Sequence, residues 1–472
     1  MSVDPPSPTS RPLDSPPPLP ISSMREAVSQ GQTRALGWRQ LQLQRLEELL
    51  TRHEQSLLAA LVSDLGKPPV EAQFELISVR QELRFTRRNL KRWMAPAPVP
   101  LELPLRPGRA FVLAEPLGCV LIISPWNYPV QLCLRPLVSA LAAGNAVVLK
   151  PSEQAPATAA ALATAVAAAF PPEVVQVVTG DASVAARLLE QRFDHIFFTG
   201  GPRVGRLVMA AAARHLTPVT LELGGKSPAI VLADADLEVT ARRLAWGKGL
   251  NSGQTCIAPD HVLVEAPVRD ALVAAMAAEL ERFYGPDPLA SADLGTIVNH
   301  GQFLRLQGLL AGAQARGQVL HGGQSDPERL KMAPTLVAVD DPEDPLMQEE
   351  LFGPLLPVLS VATLEGALTQ VRSRPKPLAL YLFSRSPEAR QRVLGCTSSG
   401  AVGINDVVLQ AGVGGLPFGG VGESGLGSYH GRAGFTTFSH HRSVLQRPFW
   451  LDLPVRYPPY AGKLPLIRRL LG

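Results

Sequence analysis

Charge is what this chain has least of. Only 18% of its 472 residues are Asp, Glu, Lys or Arg, against about 25% in an average globular protein. Lys and Arg number 45 against 41 Asp and Glu, a net +4, too small over this length to steer nucleic acid or a membrane surface, so no nucleic-acid partner is expected. Cysteine is scarce too. Cys119, Cys133, Cys256 and Cys396 are the only four, and no two stand at metal-ligand or redox spacing, which argues against a secreted disulfide scaffold and for a reducing cytoplasm. The nine histidines form no H-E-x-x-H or Cys/His cluster, so no metal site is expected. Long apolar runs are missing as well: residues 155–170, mostly alanine, run into Pro171 and Pro172, which suits a packed helix and not a transmembrane segment.

What is present is a large hydrophobic share, 46% of the chain, which excludes collagen-like, coiled-coil and wholly disordered classes. The length is about three times the usual single-domain size, so at least two domains are expected. Eight of the first twenty residues are proline; residues 1–21 read as a mobile tail, with neither the basic start nor the apolar core of a signal peptide. From 22 to 94, apolar residues recur at intervals of three and four, as in LQLQRLEELL, predicting helices. The proline-rich APAPVPLELPLRPG closes them, and residues 110–114 form a short apolar segment fit for a protruding strand. Five apolar runs follow, GCVLIIS, NAVVLK, VVQVV, DHIFFT and PVTLEL, most of them separated by helix-length segments. That alternation predicts a parallel sheet covered on both faces. A second series, AIVLADAD, PTLVAVD and LALYLFS, predicts another α/β unit, so the fold class is α/β.

Three motifs carry chemistry. In FTGGPRVG, Gly200, Gly201 and Gly205 stand where a strand turns into a helix, and glycines there let a pyrophosphate approach backbone amides at the helix N-terminus. The G-x-x-x-x-G spacing is not the usual dinucleotide fingerprint and, taken alone, suits a structural turn equally well. In LELGGK, Glu222 ends an apolar strand just before a glycine pair, and an acid there is costly to bury unless paired or used. NSGQTC surrounds Cys256 with small and polar residues. A thiol with an ordinary pKa of about 8.5 needs help to become thiolate at neutral pH, and Glu222 is a candidate base.

With SPWNYP at 124–129, KPSE at 150–153, EELFGP at 349–354 and PFGGVGESGLG at 417–427 added, the chain resembles the aldehyde dehydrogenase superfamily from about residue 22 to 460. RYPPY at 456–460 and the short N-terminus resemble its class 3 branch, the fatty and aromatic aldehyde dehydrogenases. The resemblance implies NAD(P)-dependent oxidation of medium- or long-chain aliphatic or aromatic aldehydes to carboxylic acids, through a cysteine thiohemiacetal and thioester. Cys256 would be the nucleophile, Asn127 with the cysteine's own N–H the oxyanion donors, and Glu222 the general base. Lys150 and Glu153 match residues that bind the adenosine ribose, Glu350 the one that holds the nicotinamide ribose, and Phe352 a packing surface beside it. Gly201 departs from the family pattern, replacing a small polar residue and removing one side-chain contact to the cofactor. A carboxylate at Glu153 favours NAD over NADP, although class 3 members often accept both.

The resemblance further implies a Rossmann-type cofactor domain (22–95 and 118–223), an α/β catalytic domain (224–423), a small β oligomerisation extension (96–117 and 424–450), a tail (451–472) and a homodimer. Two other readings compete: an acyl-CoA-forming dehydrogenase, against which Glu222 argues, and a catalytically silent NAD-binding protein of the same fold. Cys119 reads as core, and Cys133 as core or as a wall of the substrate entrance. The glycine-rich stretch 412–427 reads as a flexible linker by composition, and as a fixed loop by its motif. The ending GKLPLIRRLLG reads as an amphipathic helix in peripheral contact with lipid, or as a solvated terminus.

Overall fold

The computed structural model describes residues 21–471. The proline-rich tail expected over 1–21 lies outside the described residues except for Ile21, which opens helix Ile21–Ser29 and buries Met24 and Val28 with it. The periodic region folds into helices Leu36–Arg52, Glu54–Leu65 and Pro69–Met94. The alanine-rich stretch is the helix Pro156–Ala169, with Leu162, Ala165 and Val166 buried. Asp64 caps it from a neighbouring helix, accepting the N–H groups of Ala157 at 3.1 Å and Thr158 at 2.7 Å, donors that a helix start leaves unpaired.

All five apolar runs are strands of one sheet: Cys119–Ile123, Ala146–Lys150, Val175–Val177, His195–Gly200 and Val219–Leu223. They are mutually parallel, because helices connect them in turn. The second lies beside the first and the third beside the second, whereas the fourth returns to the other side of the first. The direction of winding therefore reverses between Cys119–Ile123 and His195–Gly200, the place where doubly wound sheets open a crevice at the carboxyl ends of their strands. Gly425–Leu426 adds an antiparallel edge, with Gly425 opposite Glu222.

A second sheet runs in the order Val319–His321, Thr335–Ala338, Leu355–Val361, His261–Glu265, Pro228–Val231, Ala379–Phe383 and Ala401–Ile404, parallel except for its first strand. A third, antiparallel sheet joins Ala97–Val99, Arg109–Pro116 and Ser439–Gln446. Within the expected extension segment 424–450, only Ser439–Gln446 belongs to that sheet. Gly425–Leu426 pairs with the first sheet, and buried Phe435 and Phe438 pack into the main core. The ending forms helix Leu464–Leu471, with Leu464 and Leu466 exposed beside Arg468 and Arg469. Among the described residues no helix is long and apolar enough to cross a membrane.

Candidate active site

At the reversal point lies a cavity of about 290 Å³. The chain leaving Cys119–Ile123 supplies Pro125, Trp126 and Asn127 to its wall, and the chain leaving His195–Gly200 supplies Gly200 and Gly201. Glu222 enters from the end of Val219–Leu223, Cys256 from the loop before His261–Glu265, and Glu350 and Phe352 from the loop before Leu355–Val361. Seven of the residues singled out in the sequence thus meet in one space: Cys256, Glu222, Asn127, Gly200, Gly201, Glu350 and Phe352.

The Cys256 loop is held in an unusual backbone conformation. Asn251 and Ser252 both have φ of 52°, and Gly253 follows at 72°, a left-handed run that costs free energy for residues with a Cβ. Side-chain bonds hold it there: Asn251 Nδ2 donates to Asn127 O at 2.9 Å, Ser252 Oγ to Gly295 O at 2.9 Å, and Gln254 Nε2 to Thr296 O at 2.9 Å. Gly253 is required at its position, because a Cβ there would lie 2.2 Å from Gly353 O. Asn127 belongs to the same web. Its Nδ2 donates to Gln254 O at 3.1 Å, beside the thiol, and its carbonyl accepts Lys67 Nζ at 2.8 Å.

The electrostatics oppose ionisation of the thiol. Burial pushes the Cys256 pKa well above its ordinary value, and the Glu350 and Glu222 carboxylates push it further; the backbone amides of Cys256 and Ile257 pull the other way. Glu222 is 2% exposed, and neither carboxylate oxygen has a hydrogen-bond partner among the described residues. Burial alone therefore raises its pKa well above the usual carboxylate range. Glu350 is raised to about 8, first by burial and then by the charge of Asp260, opposed by the Gly225 amide and by Lys226 and Lys248. A buried, unpartnered acid with a raised pKa is, once ionised, a stronger base than a free carboxylate, and it lines the same cavity as the thiol.

The surroundings fit a dinucleotide. Helix Pro202–Ala213 starts immediately after the strand, with Gly201 at its N-cap and Pro202 in its first turn, so its free N–H groups face the crevice. A Cβ on Gly201 would meet nothing within 4 Å, and the buried Thr199 Oγ1 has no partner among the described residues. Gly205, Lys150 and Glu153 do not line the cavity. A Cβ on Gly205 would lie 2.8 Å from Leu223 Cδ2, so this glycine lets helix and strand pack closely. Lys150 ends the strand Ala146–Lys150, its Nζ buried and bonded to Glu153 Oε2 at 2.9 Å and Pro151 O at 3.0 Å. The Glu153 side chain is 41% exposed. Cys133 is buried in the main core and is not a cavity wall; its neighbour Leu132 is.

The cavity also contains residues that sequence reasoning had given no role. Trp126 packs edge-on against Phe352, with ring centroids 5.3 Å apart. Phe418 and Tyr429 also line it, and Phe418 belongs to the motif PFGGVGESGLG. Gln302 and Arg305 come from helix His300–Ala315. Arg305 donates to Gln302 Oε1 at 3.0 Å and Leu351 O at 2.6 Å. No motif marked this helix. Among the described residues, no grouping of His, Cys, Asp and Glu could hold a metal ion.

Known proteins are similar to this chain over most of its length. The model of the aldehyde dehydrogenase family matches residues 20–444. Aldehyde dehydrogenase family 3 member H1 of Arabidopsis thaliana is 46% identical over 455 residues, 96% of this chain and 94% of that protein. The dimeric NADP-preferring aldehyde dehydrogenase of Rattus norvegicus is 44% identical, over 94% of this chain and 98% of its own. Among solved structures, the substrate-bound state of Staphylococcus aureus AldH superposes with a TM-score of 0.93 at 39% identity, covering 96% of this chain and 98% of that one.

Proposed function

Since this chain belongs to the aldehyde dehydrogenase family and is an NAD(P)-dependent oxidoreductase that turns aldehydes into carboxylic acids, we propose that Cys256, Glu222 and Asn127 carry the reaction. The Cys256 thiol gives its proton to solvent and, as thiolate, adds to the aldehyde carbon. Asn127 Nδ2 and the Cys256 N–H then stabilise the oxyanion. When bound, the nicotinamide ring supplies the acceptor for the hydride that leaves this adduct. The thioester left on Cys256 is opened by water, from which Glu222 takes a proton. The observation that carries this reading is the meeting of thiol, unpartnered buried carboxyl and amide in one cavity at the sheet's reversal point.

The test supplies aldehydes of graded chain length with NAD and NADP separately and follows NAD(P)H and product. Stoichiometric acid, with no acyl-CoA when CoA is added, is expected. Medium- and long-chain aliphatic and aromatic aldehydes should be the better substrates. Cofactor binding without turnover of any aldehyde would instead make the protein a silent binder. Asn127→Ala should lower kcat by about 100- to 1,000-fold, the usual effect of losing one oxyanion donor, with aldehyde KM changing far less.

Division of labour along the chain follows the family arrangement. Residues 22–95 and 118–223 bind the cofactor through Lys150, Glu153, Gly200, Gly201 and Gly205, and Glu350 and Phe352 reach across from 224–423 to its nicotinamide end. Glu153 disfavours a 2'-phosphate by charge, so NAD is the better cofactor although both are accepted. Glu153→Ala should raise the NADP to NAD ratio of kcat/KM by about tenfold, a modest factor because solvent screens a half-exposed carboxylate. The third sheet supports a homodimer: Val99 and Leu445 expose apolar surface on it, as does Leu103 in the turn between its first two strands, and the rat relative is dimeric by name. Four free thiols accord with a reducing cytoplasm.

A further inference from the structure

Lys226 and Asp260 each stand four residues beyond a proposed catalytic side chain, Lys226 after Glu222 and Asp260 after Cys256. They form an ion pair whose side chains are 10% and 4% exposed, and neither lines the cavity. Removing two charges from water is costly unless further hydrogen bonds satisfy them. Here those bonds have a common target. Besides Asp260 Oδ2, Lys226 Nζ donates to Leu346 O at 2.7 Å and Glu349 O at 3.1 Å, which uses all three ammonium protons. Asp260 Oδ1 accepts the N–H of Leu351 at 2.9 Å, and the Asp260 N–H returns to Ser227 O at 2.8 Å. The pair therefore grips the two peptide groups on either side of Glu350: one through the Glu349 carbonyl, the other through the Leu351 amide.

That grip matters because Glu350 has little room. Its carboxylate lies against Gly224, where a Cβ would stand 2.0 Å from Oε2. We propose that the Lys226–Asp260 pair is a positioning device for the cofactor, fixing the backbone of Glu350 so that its carboxylate meets the nicotinamide ribose. The pair also ties that position to the segments bearing Glu222 and Cys256. Neither residue touches the reacting atoms; both act through Glu350. The inference rests on the reading of Glu350 as the ribose ligand.

The test measures the dissociation constant of NAD by isothermal titration calorimetry on the full chain, with thermal unfolding and steady-state constants alongside. Lys226→Met and Asp260→Asn should each weaken NAD binding by about tenfold or more, as expected for losing charge-assisted hydrogen bonds, and raise KM for NAD without raising KM for the aldehyde. In a Glu350→Gln background the same substitutions should weaken NAD binding no further, a non-additivity that a general loss of packing does not produce. Lys226→Arg and Asp260→Glu, which keep the charges but displace them, carry the same test with smaller effects should the first variants fail to fold. Unchanged NAD affinity in folded variants, or full additivity with Glu350→Gln, overturns the proposal. If Glu350→Gln itself leaves NAD affinity unchanged, the ribose reading falls and the positioning role with it, an outcome separate from a failure of the pair alone.

Discussion

Cys256→Ala abolishes NAD(P)H formation from every aldehyde while NAD still binds and the protein remains folded. The expected loss is at least about 10,000-fold, the order found when the nucleophile of a covalent mechanism is removed, because a methyl group cannot form the adduct from which hydride departs. The fold should tolerate the change. The substitution removes a single heavy atom, and the loop is held by Asn251, Ser252 and Gln254, none of which bonds to the sulfur. Stability should therefore move by no more than about 1 kcal/mol. Cofactor affinity measured by calorimetry separates the two ways of losing activity: a variant that binds NAD normally and is inert has lost chemistry, whereas one that binds poorly has lost its site. Turnover retained by a folded Cys256→Ala protein refutes the nucleophile assignment.

The five parallel strands of the first sheet were legible because none of their positions is exposed. CVLII and AVVLK have no exposed position, so they read as unbroken apolar runs and not as alternation. Leu355–Val361 gave no such signal, since Pro357 interrupts it. Proline is normally confined to edge strands, strand starts or bulges, and here Pro357 sits opposite Val337 just before the pairing with His261–Glu265 begins at Val358, so that ladder does not need its N–H. Within the site, Cys256 and Glu222 announced themselves through composition: a thiol among small polar residues, and an acid closing an apolar run. Glu350 had no local signal and was placed only by resemblance. Gln302, Arg305 and the Lys226–Asp260 pair were invisible for a different reason. Their meaning lies in contacts between segments far apart in the chain, such as Lys226 with Glu349, and neither spacing nor periodicity encodes such contacts.

Glu222→Gln should slow acid release by about 100- to 10,000-fold, the contribution of a positioned general base, and at the same time make the protein more stable at neutral pH. The kinetic half follows from the order of events: adduct formation and hydride departure can still occur, water is no longer deprotonated, and an acyl-enzyme builds up. Intact-mass measurement after one turnover should find the acyl group on Cys256, and a burst of NAD(P)H should precede a slow steady state. The thermodynamic half follows from burial. The Glu222 carboxyl has a raised pKa in the folded protein, caused by desolvation, and no partner to offset it. In the interval between the unfolded value of about 4.3 and the raised folded value, the native state holds one proton more than the unfolded chain. Its contribution to stability is thus fully present below the unfolded pKa and falls as pH rises toward the folded one. Glutamine has no charge to desolvate, so the melting temperatures of wild type and variant should converge near pH 4, apart from any change that does not depend on pH, and diverge in favour of the variant as pH rises. A variant that gains stability with pH yet turns over aldehyde at the wild-type rate would leave Glu222 buried and strained for some purpose other than hydrolysis. A variant that accumulates acyl-enzyme while gaining stability shows the same unpaired carboxyl destabilising the fold and serving the reaction.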